Sequence, residues 1–221
     1  FAMIVFIFIL FYNMAQNSIL KKRGIKMREW IVNSFWDRAR LYQQLAENGN
    51  LRESFIKARI ILADGIFTAG GKVLIFGNGG SAAEAQHFAA ELVCQFQKTR
   101  RAIAAIALTT DTSILTAQSN DLGFDSVFER QIEALCKSED VVIGLTTSDM
   151  REDGHSRNIA KAFRAAKAIG AKTIGLFSAK TDLLLNFADV ALVIPSEDTA
   201  KIQEAHLSII HMLCEDIEKY L

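Results

Sequence analysis

Five short apolar runs alternate with helical stretches through most of this 221-residue chain. The runs are Val73–Phe76, Ile103–Leu108, Val141–Thr146, Thr173–Phe177 and Val190–Ile194. Each is rich in Val, Ile and Leu, and none alternates cleanly with polar residues. A strand without a polar face is buried on both sides, and strands separated by helices run parallel. The pattern therefore predicts an α/β fold with a five-stranded parallel sheet covered on both faces. The intervening helices fall at about 81–96, 111–118, 125–136, 156–169 and 180–187, and a long one closes the chain at about 199–220. Two more precede the first strand, over REWIVNSFWDRARLYQQLAE and LRESFIKARIILADGIFTA, broken by Asn48, Gly49 and Asn50 and ended by Gly70 and Gly71.

Composition narrows the class. Twenty-five basic and 25 acidic side chains give a formal net charge of zero, which disfavours a dedicated nucleic-acid binder. Cys94, Cys136 and Cys214 are odd in number, widely spaced and without a CxxC pair, as reduced thiols in a cytoplasm would be. The first twelve residues, FAMIVFIFILFY, are all apolar or aromatic. They fall short of the roughly 20 that a membrane span needs. No positive charge precedes them, so they make a poor signal peptide. Two readings stay open: a segment outside the working domain, with Met14 or Met27 nearer the start, or an N-terminal membrane anchor.

In a parallel sheet, ligands bind beyond the carboxyl ends of the strands. Two such loops carry chemistry. Gly77-Asn78-Gly79-Gly80-Ser81 follows the first strand and opens a helix, whose free N–H groups suit phosphate or sugar oxygens. Ser81 and Glu84 have the spacing of a capping box. The alternative is a plain turn before a well-capped helix; the dinucleotide and P-loop spacings are absent. The second loop, Thr146-Thr147-Ser148, sets three hydroxyls at a strand end, where they can bind phosphate oxygens or simply face water.

Downstream of the glycine loop, His87 and Glu91 stand four apart, on one helix face. In the last helix, Gln203 and His211 are about 80° apart around the axis, whereas His206 is about 140° from His211 and less able to converge with it. Two imidazoles, a carboxylate and an amide suit a zinc ion with room for substrate. On spacing alone, ordinary surface or partly buried polar residues are the better explanation of the four. Lys98, Arg100 and Arg101 read as a solvated helix end or a subunit contact.

Three segments carry a resemblance: FGNGGSAAEAQHFAAEL, ALTTDTSILTAQSNDLGFDSVFERQIEAL and KIQEAHLSIIHML. Together they resemble the bacterial phosphoheptose isomerases of the sugar isomerase (SIS) domain superfamily, from about Met27 to the C-terminus. The resemblance implies a flavodoxin-like three-layer SIS domain over 27–221, with 1–26 as an extension. It implies conversion of sedoheptulose 7-phosphate to D-glycero-D-manno-heptose 7-phosphate, the first step towards activated heptose. It further implies a cytoplasmic homotetramer with active sites at subunit interfaces, one zinc ion per subunit, and neither nucleic-acid nor membrane partners. By position, Asn78, Gly79, Gly80, Asn120 and Asp121 match substrate-binding residues, and Thr146, Thr147, Ser148 and Ser156 match the phosphate loop. His87, Glu91, Gln203 and His211 match the zinc ligands, with Glu91 and Gln203 also touching substrate.

Aldose–ketose isomerisation needs a base at carbon and an acid at oxygen, and Glu91 and His211 are the expected pair. Two departures stand out. Asp149–Asp153, with a net charge of −2, interrupts the phosphate loop, as a solvated bulge or as a change of substrate. Cys94 and Gln95 stand where the family often has a Gly-Arg pair. A related non-catalytic SIS protein, which binds a replication initiator, is the alternative. It lacks acidic and imidazole groups at the positions of Glu91 and His211.

Overall fold

The computed structural model describes residues 2–150, 155–181 and 188–221; among residues 1–25, side chains are described only at 21, 23 and 24. The chain divides into two compact units, residues 1–46 and 47–221. The first is carried by one helix, α1 (Ala2–Glu47). Helical periodicity is readable in the sequence only from about residue 28, yet the helix starts at Ala2. An all-apolar run has no polar face to reveal a period, and no proline interrupts it. Among the described residues, no helix is long and apolar enough to cross a membrane.

The second unit opens with α2 (Gly49–Ala63), whose N-terminus is capped by the Asn48 side chain accepting from the Leu51 N–H at 3.0 Å. Its last turn widens into a π-turn at Asp64–Thr68, and the chain leaves the helix before Gly70 and Gly71. Then follow β1 (Val73–Gly77), α3 (Gly80–Val93), β2 (Ala105–Ala107), α4 (Thr112–Leu122) and α5 (Glu129–Leu135). Next come β3 (Val141–Leu145), α6 (Arg157–Ile169), β4 (Lys172–Ser178), β5 (Val190–Ile194) and α7 (Thr199–Ile217). All five strands pair in parallel, in the order β2-β1-β3-β4-β5. The expected architecture is present. The helix expected at 180–187 falls mostly on residues 182–187, outside the described ones.

Alternate strand residues serve opposite layers. Leu74, Phe76 and Val142 join Phe128, Ile132, Ile159 and Phe163 in the core shared with α5 and α6. Phe76 stacks on Phe128 at 5.2 Å and meets Phe163 edge-on at 5.6 Å. Burying each such ring is worth about 2–3 kcal/mol, so this layer is held chiefly by area removed from water. α2, α3 and α7 pack together on the other layer, α3 against β1 and β2 and α2 against β5. The strand order reverses between β1 and β3, and the loops after those two strands open there. The fold thus brings the glycine loop and the hydroxyl loop to one edge.

Met150 corrects one expectation. A solvated bulge over 149–153 does not describe its start, because Met150 is 4% exposed and belongs to the core. Residues 151–154 lie outside the described ones.

Candidate active site

The glycine loop leaves β1 and enters α3 through Gly79, at φ 54°, a conformation that an L side chain resists. The Ser81–Glu84 capping box is not formed: the N-cap is Gly79, with no side-chain cap bond. Instead both residues turn inward, Ser81 3% and Glu84 7% exposed. Neither Glu84 oxygen has a geometric hydrogen-bond partner, and burial, partly offset by the nearby Ser81 hydroxyl, pushes its carboxyl up to about 8. Glu84 is therefore mostly a neutral acid at pH 7. The next glycine matters for a different reason. A Cβ on Gly80 would run into the Gln203 side-chain amide, so α7 approaches the loop at this point.

About two and three turns along α3, His87 and Glu91 face His211 of α7. The three offer ligand atoms that all lie within 4.8 Å of one another. His87 Nε2 is 2.9 Å from His211 Nε2 and 3.3 Å from Glu91 Oε1. A neutral His87 carries at most one proton on that nitrogen, which cannot serve both neighbours fully. A cation placed among the three would satisfy all of them, and imidazole with carboxylate is a donor set that suits zinc. The His87 and Glu91 side chains are 40% and 19% exposed, so the cluster is reachable. Cys214 sits beneath it; burial first, then the Glu91 charge, pushes its thiol up to about 12 and keeps it inert.

His206 points elsewhere. It is buried, its Nε2 lies 3.1 Å from the Phe177 carbonyl, and burial lowers its pKa to about 4 despite that hydrogen bond. It is a neutral core histidine.

The hydroxyl loop forms a second, preassembled group. Thr146 Oγ1 and Ser156 Oγ lie 3.1 Å apart, and the Ser148 N–H donates to Thr146 Oγ1 at 3.1 Å. Ser156 caps α6 with φ 65°, in the left-handed region, so this serine is held in a strained conformation at a helix N-terminus. Thr147 is buried, and its carbonyl accepts from Ser178 Oγ at 3.2 Å. Asn78 is tied to Asn158 by two reciprocal amide bonds of 3.0 and 2.9 Å, joining the glycine loop to α6. Sequence reading did not single out Asn158; an asparagine two residues into a helix carries no distinctive signal.

Asn120 and Asp121 are exposed on α4, bonded to each other at 2.9 Å, and α4 has no buried residue. Among the described residues, no hydrogen bond or ion pair joins them to the His–Glu cluster. Cys94 and Gln95 are also exposed. The basic cluster is corrected: Arg100 is no solvated helix end. Its side chain is 3% exposed and pairs with Glu218 at 3.0 Å. An arginine in a basic stretch gives no sign of a partner 118 residues away.

A parallel five-stranded sheet with a hydroxyl-rich loop at its switch point, and a histidine–carboxylate cluster between α3 and α7, make an α/β domain with the parts of an enzyme site. Comparison with known proteins agrees. Residues 37–178 match the family model described as "SIS domain". A phosphoheptose isomerase from Geobacter sulfurreducens is 50% identical over 161 residues, 73% of this chain and 82% of the relative. One from Pelobacter propionicus is 44% identical over 195 residues, 88% of this chain and 99% of the relative. Among solved structures, the phosphoheptose isomerase GmhA from Neisseria gonorrhoeae superposes with a TM-score of 0.78 at 37% identity, covering 87% of this chain and 99% of that one. The chain belongs to the SIS domain family, and within it to the phosphoheptose isomerases.

Proposed function

We propose that this chain interconverts sedoheptulose 7-phosphate and D-glycero-D-manno-heptose 7-phosphate, feeding activated-heptose synthesis. The carrying observation is the convergence of His87, Glu91 and His211 between α3 and α7 in a member of the phosphoheptose isomerases that also carries a preformed hydroxyl cradle. In this reading the sugar phosphate enters over Asn78, Gly79 and Gly80. Thr146, Thr147, Ser148 and Ser156 receive the phosphate, with the α6 N-terminus adding its positive dipole end. The distance between cradle and cluster sets which carbons meet Glu91. Its carboxylate takes the proton from one of C1 and C2 and returns it to the other, through an enediol. His211 moves the matching proton at the oxygens.

His87, Glu91 and His211, with Gln203, would hold one zinc ion per subunit. Bound there, zinc would polarise the carbonyl and stabilise negative charge on the enediolate oxygens.

The reading includes a cytoplasmic homotetramer. Three free cysteines suit a reducing compartment. For assembly, the support is α4: Leu122 is 70% exposed and Phe124 54%, directly after the exposed Asn120 and Asp121. A neighbouring subunit covering this edge would bury apolar surface and bring those two polar groups to a shared site. Residues 1–26 are read as an extension to a domain spanning 27–221. The Pelobacter propionicus relative, matched over 99% of its own length, leaves a remainder of this chain unmatched, in keeping with that boundary.

The test is turnover of sedoheptulose 7-phosphate by purified protein, with Glu91→Gln and His211→Ala as controls. Turnover by the wild type and its loss in both controls supports the reading. No product, with or without added zinc, overturns it.

A further inference from the structure

The loop after α3 carries an arrangement that the proposed chemistry does not itself use. Glu218, in the 3₁₀ turn that follows α7, is 1% exposed. Its carboxylate accepts the backbone N–H groups of Phe96, Gln97 and Lys98, each at 2.9 Å, and Arg100 Nε at 3.0 Å. Burial alone would raise its pKa, but these four donors outweigh that and hold the carboxyl below its ordinary value. The rest of the Arg100 guanidinium reaches the C-terminal end of α3, with Nη1 also donating to the Arg101 carbonyl at 3.0 Å. Nη2 donates to the Glu91 carbonyl at 2.7 Å, and Nη1 to the Leu92 carbonyl at 2.9 Å. Helix-end carbonyls lack intrahelical partners, and a cation there is favoured by the dipole.

The loop thus held presents one ring to the site. Phe96 stacks on His211 with centroids 5.3 Å apart and planes 18° from parallel. His87 meets the same imidazole nearly edge-on, at 5.1 Å and 69°. A histidine χ2 torsion is broad and roughly two-fold, so its own covalent geometry does not set the ring plane. A flat neighbour does.

We infer that Phe96, fixed in place by the Glu218–Arg100 pair, is a positioning residue for the His211 imidazole, turning its Nε2 edge towards His87 and Glu91. The inference rests on the isomerase reading for its kinetic consequence, but not for its geometric one. Phe96 is half-buried rather than part of the core, so shortening it should spare the fold.

The experiment compares Phe96→Leu and Phe96→Tyr with wild type, by kinetics and by proton NMR of the His211 ring, assigned with His211→Ala. A stacked ring moves the imidazole protons upfield. In Phe96→Leu that upfield shift should vanish and kcat should fall about tenfold or more at little-changed KM, as a slightly misaligned group costs. Phe96→Tyr should restore both. Wild-type kcat in Phe96→Leu, no rescue by tyrosine, or His211 ring shifts unchanged in Phe96→Leu would each overturn the inference. If the wild type turns over no sugar phosphate, the isomerase reading fails by itself and the ring shifts still decide the stacking.

Discussion

The His–Glu cluster, between α3 and α7, and the hydroxyl cradle, in the loop after β3, are built on opposite terms. In the cluster, three ligand atoms compete for too few protons on a partly exposed face between α3 and α7. In the cradle, hydroxyls and amides already satisfy one another: Thr146 with Ser156 and Ser148, and Asn78 with Asn158. The cluster is poised to take a cation or a reacting proton, because ligation relieves its frustration. The cradle is organised before any anion arrives, so little ordering is left for binding to pay. In the proposed reading, chemistry falls to the helices and grip to the strand-end loops.

The largest expected effect tests the chemical side. Glu91→Gln keeps the volume and removes the base; kcat should drop roughly 10²- to 10⁴-fold while the fold persists by circular dichroism. If KM rises instead and kcat stays, the division of labour between the two regions is wrong. Metal uptake should divide the same way: calorimetric zinc binding should be lost in His87→Ala and kept in Thr146→Val. Equal loss in both variants would break the contrast.

Glu84, on the same α3, sharpens it from the stability side. Its folded pKa of about 8 lies above its ordinary 4.5, so the folded state holds the proton more tightly than the unfolded one. Its contribution is therefore fully present below about pH 4.5 and is lost as pH rises towards 8, a loss of about 3 kcal/mol by pH 7. Glu84→Gln should raise the melting temperature more at pH 8 than at pH 5. An increase independent of pH would show that ionisation of the buried Glu84 carries no such penalty. The smallest effect belongs to the cradle. In the proposed reading Ser156→Ala would delete one hydrogen bond to the substrate phosphate and should raise KM about tenfold, with kcat nearly unchanged. A large fall in kcat would mean that the cradle also aligns the reacting carbons.

Much of this was readable residue by residue. The five strands appear within a few residues of their apolar runs; burial on both faces gives β1, β3 and β4 a continuous apolar signal, whereas the edge strand β2 leaves Ile106 39% exposed. The i, i+4 spacing placed His87 and Glu91 on one helix face, and the wheel angle separated His206 from His211. Other features resisted for physical reasons. Ser81 and Glu84 had the spacing of a capping box, but α7 crowds the loop and Gly79 takes the cap with a positive φ. Met150 read as part of a polar insertion, yet the core between sheet and helices drew it in.

By itself, then, the sequence determined the order of strands and helices, the parallel sheet, and the two loops at its switch point. These follow from hydrophobic period, glycine placement and helical spacing, all of them local. Tertiary structure alone decided how distant residues meet: His211 on His87, Gln203 over Gly80, Asn158 on Asn78, and Glu218 on the Phe96–Lys98 amides. Such pairs depend on how two helices cross and where a chain end returns, and a linear pattern records neither.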